Sequence, residues 1–229
     1  MYFDPVYLIF ALPGLLLALW AQLKTKTAFE EYSRVSSHSG LTGAQAAAKM
    51  LEYAGVTQVK IEETSGFLSD HYDPVERVLR LSPDVYRKNS LAAIGVACHE
   101  AGHAIQHFQN YRFLVWRSAL VPVINLASPA AYIIFVLGFI LSSPGLLMLG
   151  IGCFAAAVVF ALVTLPVEYD ASRRAAELIS RTGMLAQDEL PGAKTVLNAA
   201  FLTYVAAAVS ALLTLLYYLY RSGLLSRRD

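Results

Sequence analysis

Four long apolar runs, residues 6–23, 118–141, 145–167 and 199–220, limit what this chain can fold into. Roughly 20 consecutive apolar residues are needed for a helix to cross the hydrocarbon core of a bilayer. Inside that core every backbone N–H and C=O must be paired within the segment, which leaves the helix as the form for each run. The expected fold is therefore a mainly α membrane protein with about four transmembrane helices. Composition agrees: 56% of the residues are hydrophobic and 15% charged, with a mean hydropathy of +0.50. Only Ser142-Ser143-Pro144 separates the second run from the third, so these two form a transmembrane hairpin. The first run lacks a basic segment before it, Asp4 being the one charge there, and reads as a retained helix rather than a signal peptide. Pro13-Gly14 is a tolerated kink. The net charge of +1 excludes an electrostatic case for nucleic acid. Two cysteines provide no disulfide framework.

The polar stretches hold the chemistry. Residues 90–108 read as a buried helix containing His99-Glu100-Ala101-Gly102-His103. Residues four apart share a helix face, so His99 and His103 can present two imidazoles to one divalent metal. Glu100 follows the first histidine and can act as general base on a metal-activated water. Burying two histidines and a glutamate is costly unless they are paired or bound to something. Cys98 points about 100° away from His99 and reads as a small buried hydrophobe.

A catalytic zinc site needs a third protein ligand and an open position. His107 continues the spacing, but lies about 12 Å along the helix from His99, too far for a bond of about 2 Å. His71, in a loop, is a reachable alternative ligand, and is better suited to a place near the water or the substrate carbonyl. Glu168 is the preferred third ligand: a carboxylate at the end of an apolar run is poorly solvated and needs a partner. Ser172, Ala175 and Ala176 follow it at same-face spacing and allow close packing on the histidine helix. His71, Tyr72 and Arg173 are candidates for stabilising an oxyanion. Arg173 and Arg174 also fit a juxtamembrane role facing lipid headgroups.

Around the motif, residues 28–35 are expected to form a helix of their own, followed by a solvated loop holding His38. Thr42 opens a helix over 43–54, with Gly55 at its end. Residues 59–64 and 77–82 are short strands of a β-hairpin joined through the turn-rich segment 70–74. Ser82-Pro83 starts a short helix. Pro166 begins a fresh helical segment running to Arg181, with Gly183 as its stop. Residues 184–192 are a polar loop.

The residues 97–107, Ala-Cys-His-Glu-Ala-Gly-His-Ala-Ile-Gln-His, with Asp70-His71-Tyr72-Asp73-Pro74 before them and Leu165-Pro166-Val167-Glu168-Tyr169-Asp170-Ala171-Ser172 after, resemble the YugP-type family of membrane zinc metallopeptidases. More distantly they are similar to HtpX-like membrane proteases and zinc-dependent prenyl-protein proteases. The resemblance covers most of the chain. It implies a Zn2+ cofactor, a glutamate third ligand on a later helix, and a role for the 70–74 turn near the water or substrate. HtpX-like enzymes often carry an aspartate four residues after that glutamate to orient a ligand histidine. Here that position is Ser172, and Asp170 faces elsewhere on the helix, so the partner of the histidines is left open.

The chain is thus divided into an N-terminal transmembrane helix (1–26), a zincin-like catalytic segment (27–117), a transmembrane hairpin (118–167), a helix carrying the third ligand (168–198), and a C-terminal transmembrane helix with a basic tail (199–229). The expected activity is that of a membrane-embedded, gluzincin-like zinc endopeptidase acting on peptide or membrane-protein substrates. The alternative is a non-catalytic zinc-binding membrane protein with a structural or sensing role. The expected place is a bacterial cell membrane with the lipid bilayer as partner. Lys24, Lys26, Arg112, Arg117, Arg173, Arg174, Arg181 and Lys194 put the active site on the cytoplasmic side by the positive-inside rule. Arg221, Arg227 and Arg228 in the tail run against it, which leaves room for residues 199–220 to lie in the membrane surface.

Overall fold

A computed structural model describes residues 5–66 and 69–223. Asp4 and the tail residues Ser226, Arg227 and Arg228 lie outside the described residues. Ten elements follow one another: α1 (Pro5–Tyr32), α2 (Gly43–Tyr53), β1 (Lys60–Glu63), β2 (His71–Asp73), β3 (Val78–Leu81), α3 (Pro83–Arg87), α4 (Leu91–Phe108), α5 (Arg112–Ile140), α6 (Pro144–Arg181) and α7 (Leu190–Arg221). The protein is a mainly helical membrane protein with a small β portion. Among the described residues, α1, α5, α6 and α7 are long and apolar enough to cross a bilayer.

Two compact units divide the chain. One gathers Met1–Ala21, Val115–Leu165 and Thr203–Asp229, and so the apolar lengths of the four long helices. Its side chains reverse the usual order of a water-soluble domain: Ile9, Leu16, Leu126 and Ile140 are exposed, as suits contact with lipid. Inside it, Tyr218 stacks on Phe154 with centroids 4.1 Å apart and meets Phe135 edge-on at 4.2 Å.

The second unit gathers Gln22–Leu114 and Pro166–Leu202. Helix α4 is at its centre. Ser90 caps it, its hydroxyl accepting from Ala93 N at 3.2 Å. Ile94, Ala97, Cys98, Ala101 and Ile105 of α4 are buried with Met50 and Leu51 of α2, Leu79 and Leu81 of β3, and Ala175 and Ile179 of α6. Gly102 makes the closest approach. A Cβ there would lie 2.8 Å from the carbonyl oxygen of Ala171, so only glycine lets α4 and α6 pack at this distance.

Four expectations about elements change. The segment after Lys24 does not form a separate helix near 28–35. It extends α1 without a break to Tyr32, because loss of apolarity does not interrupt a run of helix-compatible Lys, Thr, Ala, Phe and Glu. Pro166 does not open a new helix but lies inside α6, tolerated there as prolines are in apolar helices. The loop after Gly183, which takes φ 64°, ends sooner than expected, since α7 starts at Leu190. The strands near 59–64 and 77–82 do form, but as a parallel pair, with Ile61 opposite Leu79. The hairpin is made by a third strand within the 70–74 connection: β2 pairs antiparallel to β3, Tyr72 opposite Leu79, giving the order β1-β3-β2.

Candidate metal centre

Helix α4 turns His99 and His103 to one side, and α6 brings Glu168 to meet them. The potential ligand atoms of the three all lie within 4.8 Å of one another. Glu168 Oε2 is 3.2 Å from His99 Nε2 and 3.4 Å from His103 Nε2. The carboxylate is almost wholly enclosed, with 1% of Glu168 exposed.

The hydrogen bonds behind these side chains decide which ring nitrogen faces inward. Gln106 is fully buried, and its amide nitrogen donates to Val167 O at 2.8 Å and to Asp170 Oδ2 at 2.9 Å. Its carbonyl oxygen is therefore the atom 3.0 Å from His103 Nδ1. Being an acceptor, it requires Nδ1 of His103 to carry the proton. The Nε2 lone pair of a neutral His103 then points at Glu168. His99 is held in place by a hydroxyl, Ser172 Oγ lying 3.1 Å from its Nδ1.

Two imidazole lone pairs and a buried carboxylate converging on one point repel one another unless positive charge lies between them. Burial pushes the His103 imidazolium down, but the hydrogen bond and charge of Glu168 outweigh it and raise His103 above its ordinary value. Without an ion a proton meets the need; a divalent cation meets it with bonds to all three groups. Two nitrogens and one oxygen are a donor set that suits zinc, and three ligands leave an open position. The residues present fit the ion.

Glu100, next to His99, is partly buried. Burial pushes its carboxyl up and outweighs the pull of His103 and His99, while Glu168 and Asp70 raise it further. Burial also raises the Cys98 thiol, to about 12, in keeping with a thiol that binds nothing.

The other sequence candidates separate. His107 is not in the three-residue group. Its Nδ1 lies 2.9 Å from the hydroxyl of Tyr72. His71 is exposed, with Nδ1 2.8 Å from the carbonyl oxygen of Ser69. Arg173 pairs with Asp170 at 2.8 Å and lies 4.0 Å from Glu177. His38 is exposed in its loop, as expected, and lies 3.5 Å from Glu189. Two residues behind the histidines were not read from the sequence, Gln106 and Asp170. Gln106 stands three residues after His103, on its side of the helix, and that spacing was the one available signal. Asp170, set aside as facing elsewhere, reaches His103 through Gln106. Its other oxygen and the same Oδ2 also receive Arg173 and Arg174.

The profile of a family described as "Putative neutral zinc metallopeptidase" matches residues 7–223. A relative from Bacillus subtilis (strain 168), named "Putative membrane protease YugP", is 46% identical over 213 residues, covering 93% of this chain and 95% of its own. No solved structure matches the chain.

Proposed function

The chain belongs to the neutral zinc metallopeptidase family, and from that premise we propose that it is a membrane-embedded zinc endopeptidase of the gluzincin type. The observation that carries this reading is the meeting of His99, His103 and Glu168 in one largely buried cluster with Glu100 beside it. These three residues would hold the zinc. When bound, zinc supplies polarisation of a carbonyl and acidification of a water. Glu100 takes the water's proton and passes it to the leaving amine. Gln106 and Ser172 keep the two imidazoles oriented, and the buried surroundings of Glu168 exclude bulk water from that side. Strand β2 lies at the sheet edge, where an extended peptide can add its own backbone hydrogen bonds. The candidates for stabilising the oxyanion are His71 and Tyr72 on that strand and Arg173, Tyr72 being bonded to His107 and Arg173 paired with Asp170.

A cytoplasmic active site is part of the same proposal. The charges around 24–26, 112–117 and 173–194 support it, and α5 with α6 forms an even number of crossings between His99 and Glu168.

The competing reading is a zinc site without catalysis. A structural site is closed by four protein ligands, whereas this cluster offers three among the described residues. The variant Glu100→Gln separates the two. It should retain about one zinc per chain by metal analysis and lose cleavage of a casein-type substrate by 10²-fold or more. Cleavage at the wild-type rate would sink the peptidase mechanism. In parallel, Glu168→Ala should lose most of the zinc; retention there, with loss in His71→Ala, would move the third ligand to His71.

A further inference from the structure

One turn beyond His103, α4 forms one wall of a cavity of about 280 Å³ whose other walls are Tyr72 and Arg77 of the β2–β3 hairpin and Val56, Gln58 and Val59 before β1. His107 lies about 6 Å along the helix from His103 and about 40° round it, while Ala104 and Phe108 lie about 100° and 140° round. The cavity therefore faces the flank of the helix that carries Glu100, about 60° round, rather than the His99–His103 face. Tyr72 reaches in from β2 to bond His107. Gln58, Arg77 and Asn110 contribute the remaining polar side chains. A larger hollow beside Lys49, Glu52, Tyr53 and Thr182 shares no residue with α4 and is not placed to meet a substrate at the metal.

The cavity's polar lining is rich in donors. It has one permanent cation and, among the described residues, no carboxylate. The two nearest acids on the hairpin are otherwise engaged. Asp73 accepts from the backbone of Val75 and Glu76, and both Asp73 and Glu76 pair with Arg80.

The backbone gives an independent indication. Arg77 has φ 55° and Asn110 φ 51°, two of the three non-glycine residues with positive φ among the described residues, and both line this cavity. Asparagine after a helix end is ordinary. Arginine in the left-handed region is not: at the end of a hairpin loop glycine adopts it most cheaply, and another L-residue is strained there. The chain carries an arginine where its backbone favours glycine. Its guanidinium is steadied by the Gln58 side-chain oxygen.

We propose that this cavity is a specificity subsite that takes a carboxylate side chain, aspartate or glutamate, of a peptide substrate, with Arg77 as the residue that selects it. The inference rests on the peptidase reading above. An extended peptide advances about 3.3 Å per residue, so the side chain selected is one or two residues from the bond cleaved at the metal.

The test uses the full chain, zinc-loaded in detergent, and peptide sets that differ only by glutamate, glutamine or lysine at each position flanking one scissile bond. The wild type should cleave the glutamate member about tenfold faster at one such position, the size of a partly solvated charged hydrogen bond. Arg77→Gly should bring that ratio close to one, and Arg77→Glu should reverse it in favour of lysine. Glycine relieves the strain at this φ, so Arg77→Gly should unfold no earlier than the wild type on heating. Cleavage with no acidic preference, or with a preference that survives Arg77→Gly, overturns the subsite. A second arm measures binding of the same peptides, fluorescently labelled, to Glu100→Gln protein with and without Arg77→Gly. Arg77-dependent binding of the glutamate peptide without any wild-type cleavage would keep the subsite and discard the peptidase; neither binding nor cleavage would discard both.

Discussion

Ser172 shows at the scale of single atoms how little separates a metal ligand from an ordinary histidine. Its hydroxyl is the side-chain partner of His99 Nδ1 among the described residues, whereas His103 is backed by an amide that is itself fixed by two acceptors. Losing such a partner typically lowers metal affinity by about 10–100-fold. A single hydroxyl belongs at the low end, so Ser172→Ala should weaken zinc binding about tenfold in a chelator competition, with the rest of the fold unchanged. Equal affinity in the variant would mean that Glu168 alone orients His99. The histidines and Glu100 were legible in the sequence because their spacing is local to one helix. Glu168 was legible because a carboxylate ending an apolar run needs a partner. Gln106 and Asp170 were not legible as a pair: they lie 64 residues apart in the chain, and their meeting depends on how closely α4 and α6 pack at Gly102.

Among the elements, the small sheet was the least legible. Lys60–Glu63 and Val78–Leu81 alternate as strands do, but His71–Asp73 is three residues in a turn-rich stretch and carries no periodic signal. A partly buried carboxyl helps fix where it begins. Asp70 accepts from Ser82 N at 2.7 Å and from Ser82 Oγ at 3.0 Å, tying the start of β2 to the residue after β3. Burial outweighs those hydrogen bonds and raises the Asp70 carboxyl above its ordinary 3.8. The folded state therefore holds this proton more tightly than the unfolded chain. The contribution to stability is present below the unfolded value and is lost as pH rises through the folded one. Relative to Asp70→Asn, which cannot titrate, the wild type should lose thermal stability as pH climbs from about 3.8 toward neutrality. Midpoints measured across that range should diverge in this sense; a constant offset would mean that Asp70 titrates as it does in the unfolded chain. The helices were read more easily, since length and apolarity mark a span. Their ends were not, because a helix such as α1 continues past its apolar part on propensity alone.

For the whole molecule the sequence gives four spans and an even count between the two halves of the metal site, and α1, α5, α6 and α7 match them. The side of the membrane is set by charge and is open to direct measurement. Ser36 is exposed in the loop after α1. In a background lacking Cys98 and Cys153, Ser36→Cys should resist a membrane-impermeant thiol reagent in intact cells and react after lysis. Labelling before lysis would place the catalytic residues outside. The order of the chain has one further consequence, in time. His99 and Glu168 are 69 residues apart, and α5 and most of α6 are made between them. At about 5–20 residues per second, translation reaches Glu168 roughly 3–14 s after His99. During that interval the newborn chain holds two of the three proposed ligands, and the hairpin of α5 and α6 must be made before the third arrives. Completion of the cluster is thereby deferred until the ribosome has finished the apolar lengths of α1, α5 and α6, with α7 still to come.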